Sequence, residues 1–170
     1  MKRRRILLFS LLLIWMGLIF WFSAQSRTDS AALSSKLLRK LLALSPDWKT
    51  LSAAKQNLQI KALHHAFRKL AHFTEYAVLG IFASLTMRCG FPAEDKKQQR
   101  VRYFFVPACF ALLFSAADEL HQVFSPGRTP QASDIGIDFL GACAGIFLIA
   151  FLARRIQQRH IKANKNGVSS

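Results

Sequence analysis

Nine of the 170 residues are Asp or Glu, and five of these, Glu75, Asp118, Glu119, Asp134 and Asp138, lie in or at the ends of strongly apolar segments. A carboxylate at a water-facing surface costs little, whereas one set among hydrocarbon is expensive. In membrane segments such groups face the bundle interior or a wet cavity and mark functional sites. Basic and neutral polar groups accompany them: Lys69, His72 and Tyr76 around Glu75, and His121, Gln122 and Arg128 after Asp118-Glu119. Five like charges close together repel, so Lys69, Arg128 and the two histidines are the expected neutralisers. A network of this composition can hold a polar headgroup or carry out acid–base chemistry. Glu75, Asp118 and His72 have the types suited to proton transfer. Lys69, Tyr76, Glu119, His121, Gln122, Arg128, Asp134 and Asp138 have those suited to binding.

His72-x-x-Glu75 has the i, i+3 histidine–carboxylate spacing of helical metal sites, and Asp118, Glu119 and His121 would add donors. Lys69 and Arg128 already offer charge balance, so neither a metal nor another cofactor is expected. Duller roles exist for single members. Asp134, preceded by Ser133, suits the N-terminal cap of a helix. His64 and His65 lie outside the group and read as surface residues.

The elements that must position these side chains are membrane spans. The chain is 52% hydrophobic, has 15 Phe and carries a formal charge of +15. Its basic residues flank apolar runs instead of forming one patch, which argues against nucleic-acid binding and for membrane orientation. Ile6–Phe22 is an uncharged run long enough to cross the hydrocarbon core. It follows Lys2-Arg3-Arg4-Arg5, so a signal peptide cut near Ser23-Ala24 is one reading. The length of the run and its bulky Trp15 and Trp21 favour a retained helix. Three further spans are expected at about Leu70–Arg88, Tyr103–Phe124 and Ile135–Ala153. Cys89, Cys109 and Cys143 show no metal-binding spacing and read as small packing residues.

Basic residues set the orientation. Four stand at the N-terminus, five at Arg88–Arg102 and five after Ala153, against one in the short loop Ser125–Asp134. Both termini are therefore expected in the cytoplasm. The long stretch between the first two spans also carries nine basic residues, from Arg27 to Lys69. Within it Leu33, Leu37, Leu38, Leu41 and Leu42 recur at helical spacing beside Lys36, Arg39 and Lys40, which predicts an amphipathic helix on the outer membrane surface. Ser45-Pro46-Asp47 ends it, and a second helical pattern runs into the next span.

The expected fold is an all-α polytopic membrane bundle of four transmembrane helices with an extracytoplasmic amphipathic segment. Its parts are a basic N-terminus and first span (1–22), that segment (23–64), a three-helix core (65–153) and a basic, disordered tail (154–170). In this topology the polar residues begin spans two and four and end span three, so all fall in one layer near the extracytoplasmic surface. Helical spacing puts Lys69, His72, Glu75, Tyr76 and Leu79 on one face, and Ser115, Asp118, Glu119 and Gln122 on another. Asp134, Asp138, Gly141 and Gly145 share a third, where the paired glycines permit close helix approach. Glu75 is the deepest acid, about 8 Å along its helix from Leu70 at 1.5 Å per residue.

Two stretches resemble the signatures of VanZ-like membrane proteins. One is Lys69-Leu-Ala-His72-Phe73-Thr-Glu75-Tyr76-Ala-Val-Leu79-Gly80. The other is Asp118-Glu119-Leu-His121-Gln122-Val-Phe124-Ser-Pro126-Gly127-Arg128, followed by Asp134, Asp138, Gly141 and Gly145. The likeness covers roughly residues 65–153. It implies a multi-pass protein of the bacterial cytoplasmic membrane, associated with the cell envelope, in a family whose namesake is linked to teicoplanin resistance. It implies no defined reaction. The expected partner is a membrane lipid or lipid-linked envelope precursor; a small proton-linked transporter subunit and a non-catalytic membrane partner are the alternatives.

Overall fold

The structure, a computed structural model, describes residues 2–25, 27–124 and 131–167. It contains α1 (Lys2–Ser23), α2 (Arg27–Leu42), α3 (Pro46–Thr50), α4 (Ala53–Gly90), α5 (Lys96–Arg100), a π-helical turn (Val101–Phe105), α6 (Val106–Gln122) and α7 (Ala132–Gly167). No strand occurs among these residues. Four helical stretches are long and apolar enough to cross a bilayer: Lys2–Ser23, Ala53–Gly90, Lys96–Gln122 and Ala132–Arg159. The protein is an all-α polytopic helical bundle.

Helix α1 turns Leu12 and Ile19 inward, while Ile6, Leu7, Ile14 and Trp21 point outward. A helix apolar all round suits a lipid surrounding better than water. Its direction is fixed by contacts at both ends. Arg5 Nε donates to the Cys89 carbonyl at 2.8 Å, and Trp15 Nε1 donates to the Glu75 carbonyl at 2.9 Å, so α1 runs antiparallel to α4. Ser23 Oγ donates to Asp118 Oδ2 at 2.8 Å and Phe20 meets Phe114 edge-on, so α1 runs parallel to α6. Ser23, the residue beside the conceivable cleavage point, is thus built into the bundle.

The closest pairing is between α4 and α7, which run parallel. A Cβ at Gly80 would overlap the Ala142 carbonyl, one at Gly141 the Phe73 carbonyl and one at Gly145 the Ala77 carbonyl. Lipid tails offer no hydrophobic drive for helices to associate, so this backbone proximity, with its dispersion contacts, is what joins them. The close approach expected of Gly141 and Gly145 is present, and Gly80 supplies the matching recess on α4. Tyr76, Leu79, Ala83, Ala111, Phe114 and Ala142 complete the core with Leu12 and Ile19.

At 38 residues α4 is about 57 Å long at 1.5 Å per residue, nearly twice a hydrocarbon core. Its N-terminal part therefore projects beyond the apolar bundle, and α2 and α3 fold against it. Leu38, Trp48 and Ile60 form a small core there. Arg39 Nη2 donates to Asn57 Oδ1 at 2.9 Å, and Gln56 Nε2 donates to the Trp48 carbonyl at 3.0 Å. The amphipathic helix expected in this stretch is α2. Leu38 packs inward, whereas Leu33, Leu37 and Leu41 stay exposed. His64 is half-buried, its Nε2 3.3 Å from the Ala31 carbonyl.

Two details differ from expectation. Residues 154–167, read as a disordered tail, continue α7 as far as Gly167. Arg154, Arg155, Gln157, Gln158 and Arg159 are good helix formers, and no Pro or Gly interrupts them before Gly167. The third span also starts earlier than Tyr103, because α5, the π-helical turn and α6 run on continuously from Lys96 to Gln122. Pro107 explains the turn: it has no N–H for the Tyr103 carbonyl and its ring crowds that group. The helix widens, and the Val106 N–H reaches back to the Val101 carbonyl.

Candidate functional site

The polar ends of α1, α4, α6 and α7 meet in one layer. At its centre are two enclosed carboxylates, Asp118 at 1% and Asp138 at 2% exposure. Asp118 Oδ2 accepts from Ser23 Oγ and, at 3.2 Å, from Gln122 Nε2. Gln122 lies one turn after Asp118 on α6, the i, i+4 spacing that lets one helix supply both donor and acceptor. Asp138 Oδ2 accepts from Ser115 Oγ at 2.9 Å. Asp138 Oδ1 lies 3.7 Å from His72 Nδ1. The Tyr76 side chain is fully buried near Ser115 and Asp118, and its hydroxyl has no hydrogen-bond partner among the described residues. Each interaction joins different helices except Gln122–Asp118, so the layer is a crosslink among all four spans. Buried carboxylates are tolerable when hydrogen bonds replace their water.

Around this centre lies a more open tier. His72 and Glu75 are half-buried, as are Lys69, His121 and Asp134. Glu75 is near enough to Asp138 for the two charges to repel. The His121 ring packs edge-on against Phe20, with centroids 5.3 Å apart. Glu119 is buried and accepts from the Gln131 backbone N–H, tying the end of α6 to the approach to α7. Ser133 Oγ lies 3.3 Å from Asp134 Oδ1 at the start of α7. Lys69 makes no ion pair with the acids among the described residues. Arg128, the other expected neutraliser, lies outside the described residues.

Ten of the eleven residues singled out in the sequence are therefore described, and all ten sit at the same end of the bundle. Within the group Asp118 and Asp138 are the most enclosed acids, and Glu75 is half-buried. Two contributors had no such billing. Ser115 is on the α6 stripe and was legible as its polar neighbour. Ser23 is 95 residues from Asp118 in sequence, and nothing local to it signals the contact. Among the described residues no three His, Cys, Asp or Glu side chains come together as a metal-holding group, and Cys89, Cys109 and Cys143 are free thiols.

Against known families the chain matches VanZ/LLP1 over residues 8–153. It belongs to the VanZ/LLP1 family. The match reaches well beyond the two motif-bearing stretches at 65–153, taking in α1 and the α2–α3 cap. No curated protein and no solved structure gives a significant match.

Proposed function

We propose that this VanZ-like protein binds, on the extracytoplasmic side of the bacterial cytoplasmic membrane, the polar headgroup of an envelope lipid or lipid-linked precursor. The observation that carries the reading is the two-tier layer: enclosed Asp118 and Asp138 held by Ser23, Gln122 and Ser115, and half-open His72, Glu75 and Lys69 beside them. The outer tier has both signs of charge at headgroup depth. Lys69, with Arg128, suits phosphate; Glu75 suits a hydroxyl or ammonium donor, and with His72 could serve as a proton acceptor. The inner tier sets their positions.

Orientation is part of the proposal. Arg5 contacts the end of α4, and Arg88 lies near Arg154 on α7, so the three basic segments share the end opposite the acids. The bias of Lys and Arg toward the cytoplasm then faces the carboxylate layer outward. The family's link to teicoplanin makes glycopeptide susceptibility a suitable cellular readout.

Native mass spectrometry of the protein extracted with its lipids tests the binding. Glu75→Ala and His72→Ala should lose a lipid species that the wild type retains; identical lipid profiles would remove the proposal. The second reading, a network that only fixes the bundle, draws support from the near-complete enclosure of Asp118 and Asp138. It becomes the better account if Glu75→Gln leaves glycopeptide susceptibility and lipid retention at wild-type levels.

A further inference from the structure

At the end of the bundle opposite the carboxylates, a cleft of about 980 Å³ opens between the end of α4, the π-helical turn and the second half of α7. Its walls differ in character. Phe104, Phe147 and Phe151 form an aromatic side, with the Phe104 and Phe147 rings 4.9 Å apart. Phe147 and Phe151 are more than half exposed, on the flank where α7 meets the surrounding lipid. The other side carries Arg88, Arg100 and Arg154, and none of the described residues lining the cleft is acidic.

Basic residues at this end would suffice as orientation signals if they simply projected into water. Arg88 does not. Its guanidinium lies over the Tyr103 ring, 4.5 Å from the centroid. Its Nε is buried and has no hydrogen-bond partner among the described residues. Tyr103 is in turn locked in place, accepting from the Ala93 N–H at 2.9 Å and donating to the Phe91 carbonyl at 3.2 Å. Arg154 stands close enough to repel Arg88. The nearest acids in sequence are Glu94 and Asp95. Asp95 caps α5 by accepting from the Gln98 N–H at 2.7 Å, and Glu94 is exposed. The fold therefore holds like charges together, one of them partly desolvated, beside an apolar wall continuous with the lipid-facing surface. A cleft with these two sides is complementary to an anion attached to hydrocarbon. Basic pockets between transmembrane helices recognise lipid phosphates in this way, and arginine can grip a phosphate with paired donors.

We infer that the cleft between α4, the π-helical turn and α7 is a binding site for the phosphodiester headgroup of an anionic phospholipid, held by Arg88, Arg100 and Arg154 with acyl chain along Phe147 and Phe151. The site is separate from the carboxylate layer and does not depend on the function proposed for it. The π-helical turn is the device that builds it, because the extra residue swings Tyr103 beneath Arg88 and Phe104 onto Phe147.

The test uses the full-length protein, delipidated in neutral detergent and titrated with phosphatidylglycerol, with phosphatidylcholine and with inorganic phosphate. Binding is read by native mass spectrometry and by the shift in thermal unfolding. Phosphatidylglycerol should bind and raise the unfolding temperature. Its affinity should fall about fivefold in Arg154→Gln and in Arg88→Gln, and further in the double variant. Phe147→Ala should also weaken it. Arg154 is exposed, so Arg154→Gln keeps the experiment decisive even if Arg88→Gln disturbs folding. Equal binding of phosphatidylcholine, or undiminished phosphatidylglycerol binding by Arg154→Gln, overturns the inference. An equal thermal shift from inorganic phosphate overturns the assignment to a lipid in favour of a free anion. Lys49→Gln, an exposed cation of the cap outside both sites, should bind phosphatidylglycerol like the wild type, which separates loss at the cleft from a general loss of positive charge.

Discussion

Asp118 shows what a single side chain does in this protein. It accepts from α1 through Ser23 and from its own helix through Gln122, so removing it takes a buried acceptor away from two donors. Asp118→Ala should lower stability by about 1–3 kcal/mol, the usual cost of orphaning buried polar groups. Asp118→Asn keeps one carbonyl acceptor and should recover much of that loss; thermal unfolding in detergent compares the two. Ser23→Ala removes only one partner and should cost less than Asp118→Ala. If all three variants unfold at the wild-type temperature, the bonds at this position contribute nothing to the bundle. Asp138, held by Ser115 and facing His72, predicts a parallel series.

At the scale of elements, α4 and α7 depend on three glycines that admit a carbonyl where a methyl would stand. Overpacking typically costs about 1–3 kcal/mol. Because the obstructing atoms here belong to the backbone, Gly80→Ala, Gly141→Ala and Gly145→Ala should lie at or above the upper end of that range. Gly17, with open space at its Cβ position, should accept Ala without loss, and the contrast is measured by unfolding temperature. Pro107→Ala restores an N–H one turn after Tyr103, favouring a regular α-helix. The expected result is a rotation of Tyr103 away from Arg88, read as a change in tyrosine fluorescence.

Much of this layout was legible beforehand, for a physical reason. Apolar runs, basic flanks and the three-to-four-residue rhythm of Glu75, Asp118 and Asp138 are local properties, and each survives in the fold. Ser23 and Gly80 were harder, because their roles depend on partners 95 and 62 positions away. A serine that ends an apolar run looks the same whether it faces lipid or a carboxylate. The enclosure of Asp138 relative to Glu75 was likewise invisible, since helical spacing fixes a face but not how tightly a neighbour covers it.

Taken whole, the molecule has a carboxylate end under a small helical cap and a basic end with an aromatic cleft, separated by an apolar middle built on Leu79, Ala83, Ala111 and Ile146. That middle disfavours a proton path running from one end to the other. Sidedness can be measured directly. Replacing the three free cysteines and placing one at Ser125 should give a site labelled in intact cells by an impermeant thiol reagent. Protection until the cells are opened would invert the proposed topology. The cap should be separable in stability from the bundle: Trp48→Ala removes the largest member of its small core and should cost about 3–5 kcal/mol. That loss should appear as early hydrogen exchange confined to α2, α3 and the start of α4, leaving the spans protected.

The bond between Ser23 and Asp118 also bears on how the chain is made. Helix α1 leaves the ribosome long before α6, which carries Asp118 and Glu119 in an otherwise apolar stretch. A carboxylate in a nascent span raises the cost of partitioning into lipid. Asp118, near the end of its span, adds part of the roughly 2.5–3.5 kcal/mol that it would add at the centre. On its own α6 is thus a reluctant passenger of the insertion machinery. With α1 already in the bilayer, its serine waits at the right depth to receive the late-arriving aspartate. The expected consequence of the Ser23–Asp118 bond is that α1 eases the insertion of the third span. A chain lacking α1 should leave α6 stranded outside the membrane, which glycosylation-site mapping during synthesis on microsomes would reveal.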